Sequence, residues 1–214
     1  MIILVVFVLL AVFVSPKITQ NNESPIIAAD VLLFAKVNNS HFPPFNPLMV
    51  LLTEYGREVV WSLVIALFFA FGRHIGRKAA FMMFLAMIIL VPSTIVAKEA
   101  VGRLRPDVSE VDLLIATDHE YSFPSGHAVL VSAGAAITLT LFRGSKRMSA
   151  VSVLLALEAS LVSISRVYVG GHYPLDVVGG TLFGTGIAFI LISRENDLEK
   201  IMTAIKNRIL SNRR

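Results

Sequence analysis

The 214-residue sequence contains no cysteine. Disulfides, thiolate metal sites and cysteine nucleophiles are therefore excluded. Charge is scarce as well: Asp, Glu, Lys and Arg make up 16% of the chain, against about a quarter in a typical soluble domain. No cluster of carboxylates resembles a magnesium or zinc site, so neither a metal nor a cofactor is expected. Long repeats and low-complexity stretches are missing, and the length leaves no room for a second sizeable domain.

What fills the sequence instead is apolar. Hydrophobic residues account for 55% of it, and the mean hydropathy is +0.73, too high for water unless long stretches lie in lipid. A spanning helix needs about 20 mostly apolar residues. Six candidates run approximately Met1 to Val14, Arg57 to Phe71, Ala79 to Ala97, Gly126 to Phe142, Met148 to Ser165 and Pro174 to Ser193. The second is long enough only if Arg57 and Glu58 lie at the headgroups. The first is short, yet no basic residue precedes it and Ser15-Pro16-Lys17 is no small-residue cleavage site. It is expected to be retained as a short or tilted helix. The predicted fold is all-α, a polytopic membrane bundle of six transmembrane helices. Residues 1–56 form the first span plus an interfacial outer segment, 57–193 a catalytic core, and 194–214 a basic tail.

Basic residues in short loops mark the cytoplasmic side. They collect between the second and third spans (Arg73, Arg77, Lys78), between the fourth and fifth (Arg143, Lys146, Arg147), and after the sixth. Both termini are then cytoplasmic. The net charge of +4 reflects this topology, and no nucleic-acid partner is expected. The loops Lys98 to Ser125 and Arg166 to Tyr173 face outwards, with a plasma-membrane location expected. Pro25 to Val37 is too short to span, is interrupted by Asp30, and is placed at the outer interface. His41 to Pro47 is read as a loop from its prolines. Leu198, Ile201, Met202, Ile205 and Ile209, interspersed with basic residues, predict an amphipathic tail helix on the cytoplasmic lipid surface.

Three polar clusters fall at outward helix ends. In Lys98-x6-Arg105-Pro106 the two cations stand two turns apart on nearly one helix face, and Pro106 disfavours helix at Arg105. Pro124-Ser125-Gly126-His127 opens the fourth span, where Ser125 is a good N-cap and the free amides of the first turn form an anion site. In Ser165-Arg166-x5-His172-x3-Asp176, Pro174 suits a first helical position. Asp176 is then placed to accept from His172 Nδ1–H, leaving Nε2 as a lone-pair nucleophile. Arg166 offers a planar fork for phosphate oxygens. Together these groups suit a phosphoryl group that is held, attacked on one side and protonated on the other.

In these three motifs the chain resembles the type 2 phosphatidic acid phosphatase superfamily, complete at each defining position, with motifs and spans covering roughly Arg57 to Ser193. The resemblance implies a six-helix membrane fold and metal-independent hydrolysis of lipid phosphates or diphosphates. It further implies that His172 is transiently phosphorylated and that His127 is the acid. Lys98, Arg105, Ser125, Gly126 and Arg166 would hold the phosphate. A polyprenyl diphosphate is the preferred substrate, with phosphatidic acid and phosphatidylglycerophosphate also compatible; oligomeric state is open. Rival readings are a phosphotransferase that delivers the phosphate to an acceptor other than water, and a non-catalytic lipid or anion transporter. Mere binding, however, needs no His127, His172 or Asp176.

Outside the motifs, Arg103 is expected to be a headgroup anchor. His41, His74 and His119 are expected to be surface groups, with His119 near the site entrance. Glu158 lies mid-span without an assigned partner. Gly180 and Gly184, four apart, predict close helix packing.

Overall fold

The computed structural model describes residues 1–19, 24–107, 112–116 and 120–211, and all regular structure among them is helical. In chain order these helices are α1 (Ile2–Val14), α2 (Pro25–Asn38), α3 (Asn46–Tyr55), α4 (Trp61–Phe71), α5 (Arg73–Val101), α6 (Gly126–Leu141), α7 (Lys146–Tyr168), α8 (Pro174–Ser193) and α9 (Glu195–Ser211). Four of them, α5 to α8, are long and apolar enough to cross a membrane, while α1 is a shorter apolar helix. At 29 residues, α5 extends about 44 Å at 1.5 Å per residue, well beyond a hydrocarbon core of about 30 Å.

The helix that carries the second predicted span begins earlier than Arg57. A π-helical turn, Gly56–Val60, joins α3 directly to α4, so the rod runs from Asn46 to Phe71. Arg57 and Glu58 therefore lie inside it rather than at its end. The prolines of the expected His41–Pro47 loop form a 3₁₀ turn, Pro43–Phe45, that leads into α3.

Helix α6 lies at the centre, packed against α5, α7 and α8. Small residues allow this. A Cβ on Gly184 would fall 1.9 Å from the Val129 carbonyl oxygen, and one on Gly180 would fall 2.6 Å from that of Ser125. The α6–α8 backbones thus meet through the two glycines, as their spacing predicts. On another face of α6, the Trp61 ring occupies the space beside Gly134. Trp61, Met82, Met83, Leu90, Val131, Ile137, Phe142 and Val162 fill the core. Leu67, Phe71, Ile88, Ile95, Val96, Leu154 and Ile164 point outwards and are exposed, as befits helices solvated by acyl chains.

The remaining helices brace this bundle. Ser15 and Lys17, after α1, donate to the Val101 and Glu99 carbonyls at 2.7 and 2.5 Å, fixing the end of α5. Helix α2 packs against α7 and α8. At the opposite end Lys78 on α5 holds Glu195 and Glu199 of α9 at 2.7 and 2.9 Å. Of the predicted tail stripe, Leu198 joins the core while Ile201 is half exposed; the side chains of Ile205 and Ile209 lie outside those described.

Candidate active site

Helix ends and the turns beside them assemble the site. Lys98 occupies the last turn of α5, which closes at Gly102 in the left-handed region, φ 70°. Glycine takes up that backbone conformation without the strain that a Cβ would bring. Arg166 ends α7, and its carbonyl accepts from the Gly171 and His172 amides, each at 3.1 Å. The turn carrying His172 is thereby folded back onto the helix that carries Arg166. The Ser125 amide donates to the Asp176 carbonyl at 3.0 Å, joining the starts of α6 and α8.

These contacts enclose a cavity of about 240 Å³. His172, His127, Lys98, Arg105, Arg166 and Gly126 all line it, as do Arg57, Thr94 and Glu120. Ser125 and Asp176 are fully buried and do not border the opening. The three motifs, distant in sequence, thus share one pocket with two imidazoles and several cations. Such a pocket can hold a tetrahedral anion between two bases, with the amide at the start of α6 adding a neutral donor.

His172 is 1% exposed. Burial first, then the charges of Arg166, Arg105 and Lys98, hold its pKa well below the ordinary histidine value. A neutral imidazole with a lone pair follows. Its Nδ1 stands 3.6 Å from Asp176 Oδ2, longer than a hydrogen bond. The expected direct Nδ1–H donation is corrected accordingly: the carboxylate is drawn to other donors. Asp176 Oδ1 accepts from Arg103 Nη1 at 2.7 Å, and Oδ2 accepts from the Tyr173 amide at 2.9 Å.

The reading of Arg103 as a headgroup anchor is overturned. It is buried, 7% exposed, stacked over the Tyr173 ring at 4.4 Å, and its Nη2 donates to Asp30 Oδ2 at 2.5 Å. Asp30 Oδ1 in turn accepts from the Leu175 amide at 2.8 Å. A carboxylate interrupting an apolar helix was the signal for Asp30; nothing local reveals its partner, 73 residues away.

His127 Nε2 lies 3.0 Å from the Thr53 carbonyl and donates to it, which leaves Nδ1 as the nitrogen with the lone pair. Nδ1 faces Arg57 Nη1 at 3.5 Å. Thr53 is anchored by its own hydroxyl, 2.7 Å from Ser165 Oγ. Arg57 also pairs with Glu58. Sequence reasoning missed Arg57 as a site residue; its position between apolar runs on both sides is the legible sign.

Lys98 is paired with Glu120, and that contact, ahead of the charges of Lys98 and Arg105, holds the Glu120 carboxyl below its ordinary range. Ser125 takes the N-cap position of α6, yet its side chain makes no capping bond. Its hydroxyl, like that of Thr94, is buried with no hydrogen-bond partner among the described residues. The expected cap is corrected on that account.

His41 is no free surface group: its side chain is 8% exposed and its Nε2 donates to the Tyr168 carbonyl at 2.6 Å. His74 is exposed and meets Glu199 at 3.1 Å, and His119 lies outside the described residues. Glu158 has a partner after all, accepting from Trp61 Nε1 at 2.8 Å.

A helical membrane bundle with this cavity at its helix ends suits a phosphate-bearing lipid, and the comparisons with known proteins give the class, a lipid phosphatase. The PAP2 superfamily model matches residues 75–199, and the chain belongs to that superfamily. It is 37% identical to the undecaprenyl-diphosphatase of Sulfolobus acidocaldarius over 96% of each chain. It is 27% identical to phosphatidylglycerophosphatase B of Bacillus subtilis, covering 86% of this chain and 89% of that one. Among solved structures, the PAP2-type phosphatidylglycerolphosphate phosphatase of Bacillus subtilis superposes with a TM-score of 0.74. That match has 26% identity and covers 91% of this chain and 94% of the other. LpxE of Aquifex aeolicus gives 0.61 at 25% identity, covering 76% and 94%.

Proposed function

We propose that this lipid phosphatase hydrolyses a polyprenyl diphosphate through a phosphohistidine at His172, without a metal ion, on the non-cytoplasmic face of the plasma membrane. The observation that carries the reading is the shared cavity of His172, His127, Lys98, Arg105 and Arg166. The similarity to an undecaprenyl-diphosphatase along nearly the whole chain favours the diphosphate class. α1 and the Asn46–Phe71 rod would complete six spans, and the loop charges orient both termini to the cytoplasm.

In the proposed cycle Nε2 of His172 attacks the terminal phosphorus in line. The bond from phosphorus to the bridging oxygen breaks, and His127, which takes up a proton on Nδ1 as the anionic substrate binds, gives that proton to the departing oxygen. His127 then takes a proton from water, whose oxygen attacks the phosphohistidine, breaks the P–N bond and releases inorganic phosphate. Lys98, Arg105, Arg166 and the Gly126 amide neutralise the equatorial oxygens, supplying positive charge that a metal ion provides elsewhere. Ser125 and Asp176, which do not border the cavity, support it from behind: the Ser125 amide bonds the Asp176 carbonyl, and Asp176 stands 3.6 Å from the His172 ring.

The test is phosphate release by detergent-purified protein, with chelator present, from a polyprenyl diphosphate, phosphatidic acid and phosphatidylglycerophosphate. The diphosphate should be turned over fastest, through an acid-labile, alkali-stable phosphoenzyme that His172→Ala abolishes. A strict metal requirement, or phosphate release that survives His172→Ala, would overturn the mechanism.

A further inference from the structure

Arg57 belongs to none of the three motifs, yet it lines the cavity beside Lys98, Arg105 and Arg166. The four cations are not distributed evenly. The strongest cationic charges acting on His172 are Arg166, Arg105 and Lys98, whereas those acting on His127 are Arg166 and Arg57. Arg57 Nη1 is 3.5 Å from His127 Nδ1, so it stands beside the acid rather than around the nucleophile.

An in-line displacement expels its leaving group opposite the nucleophile, here towards His127. A monoester expels an alkoxide, which needs one proton and carries no further charge. A diphosphate expels a lipid monophosphate, whose oxygens keep negative charge after protonation. A guanidinium beside the acid suits the second case, because its fork can engage two phosphate oxygens at once.

The surroundings of Arg57 agree with that division. Arg57 shares the wall of the phosphate cavity with the apolar Val91, Ile95 and Leu130, and Val91 and Ile95 are exposed on the outside of α5. The one cavity thus presents a nucleophile at His172, an acid at His127, a cation at Arg57 beside that acid, and an apolar wall that reaches the lipid-facing side of α5. A polyprenyl diphosphate has the matching order: terminal phosphate, bridging oxygen, proximal phosphate and chain.

We infer that Arg57 binds the lipid-proximal phosphate of a diphosphate and selects diphosphates over monoesters. This rests on the polyprenyl diphosphatase reading given above. Farnesyl diphosphate and farnesyl monophosphate, which share one chain, isolate the effect of the second phosphate. Arg57→Ala should lower kcat/KM for the diphosphate about ten- to a hundredfold more than for the monophosphate, the range of one charge-assisted hydrogen-bonding contact. Arg57→Lys, which keeps the charge without the fork, should recover part of the difference. Product inhibition by farnesyl monophosphate should weaken in Arg57→Ala, while inhibition by inorganic phosphate, bound nearer His172, should change less. Residual monophosphate turnover reports that the variant is folded. Equal losses on the two substrates would overturn the assignment. A wild-type enzyme that hydrolyses phosphatidic acid but leaves farnesyl diphosphate intact would overturn the diphosphatase reading, and the assignment with it.

Discussion

Arg103 Nη1 donates to Asp176 Oδ1 at 2.7 Å, while the ring of His172 stands 3.6 Å from the other oxygen of the same carboxylate. The strongest charge pairing of Asp176 is therefore with a residue of the α5–α6 connection. Asp30 holds the second arm of the guanidinium, so α2 is coupled to the placement of the proposed nucleophile. Removing the cation strands two buried carboxylates, which typically costs about 3–5 kcal/mol. Arg103→Leu should accordingly lower the melting temperature in detergent and abolish activity. Asp30→Asn keeps an oxygen for the Leu175 amide but loses the ion pair; kcat should fall with KM nearly unchanged. An Asp30→Asn enzyme with wild-type kcat would show that the network plays no part in positioning His172.

The two histidines should separate by substrate. An alkoxide needs a proton on departure far more than a phosphate does. His127→Ala should therefore depress kcat for a lipid monoester more than for a diphosphate, while His172→Ala eliminates both. Parallel losses for His127→Ala across the two substrate types would remove it from the role of acid. The expected pattern is the opposite of that for Arg57→Ala, and the double comparison tests the division of labour between them.

Acid should inhibit later than a free histidine implies. With its folded pKa depressed below about 6.5 by burial and by Arg166, Arg105 and Lys98, His172 keeps its lone pair as the pH drops through 6.5. The acid limb of kcat/KM should lie well under that value, and replacing one cation, as in Lys98→Met, should shift it upwards. The same sign governs stability. The unfolded chain takes up a proton near pH 6.5 that the folded protein refuses, so this contribution is present above 6.5 and is lost as the pH falls below it. Melting temperatures across pH 4–8 would check this; a stability maximum on the acid side would contradict it.

Under the proposed mechanism Glu120, paired with Lys98, competes with phosphate for it. Its carboxyl is held below its ordinary range, mainly by Lys98, and so stays ionised to lower pH than a free glutamate. Glu120→Gln should leave Lys98 more available, lowering KM and the inhibition constant of inorganic phosphate several-fold without a matching change in kcat. A raised KM would mean instead that the carboxylate helps place the lysine.

The motif residues that line the cavity are legible in the sequence because each motif is local. A helix end fixes its own few residues, and the apolar runs between motifs are long enough to imply which ends meet. The sixth predicted span, Pro174 to Ser193, matches α8 residue for residue. What sequence alone does not disclose depends on pairing across the chain. Asp30 and Arg103 satisfy each other over 73 positions, and each seen alone reads as an interruption or an anchor. The start of the second rod is hidden for a related reason. Charged Arg57 and Glu58 read as the end of an apolar helix, and only the fold reveals that the helix continues through them.

The wide turn at Gly56–Val60 has a consequence for how this rod tolerates change. A π-helical turn accommodates one residue more than the α-helical ladder it interrupts. Deleting a single residue there would restore the ladder and rotate the upstream half by about 100° relative to α4. Thr53 would swing away from His127 while Trp61 kept its seat on Gly134. The segment thus acts as a phase shifter, letting one end of the rod be set by the chemistry and the other by the packing.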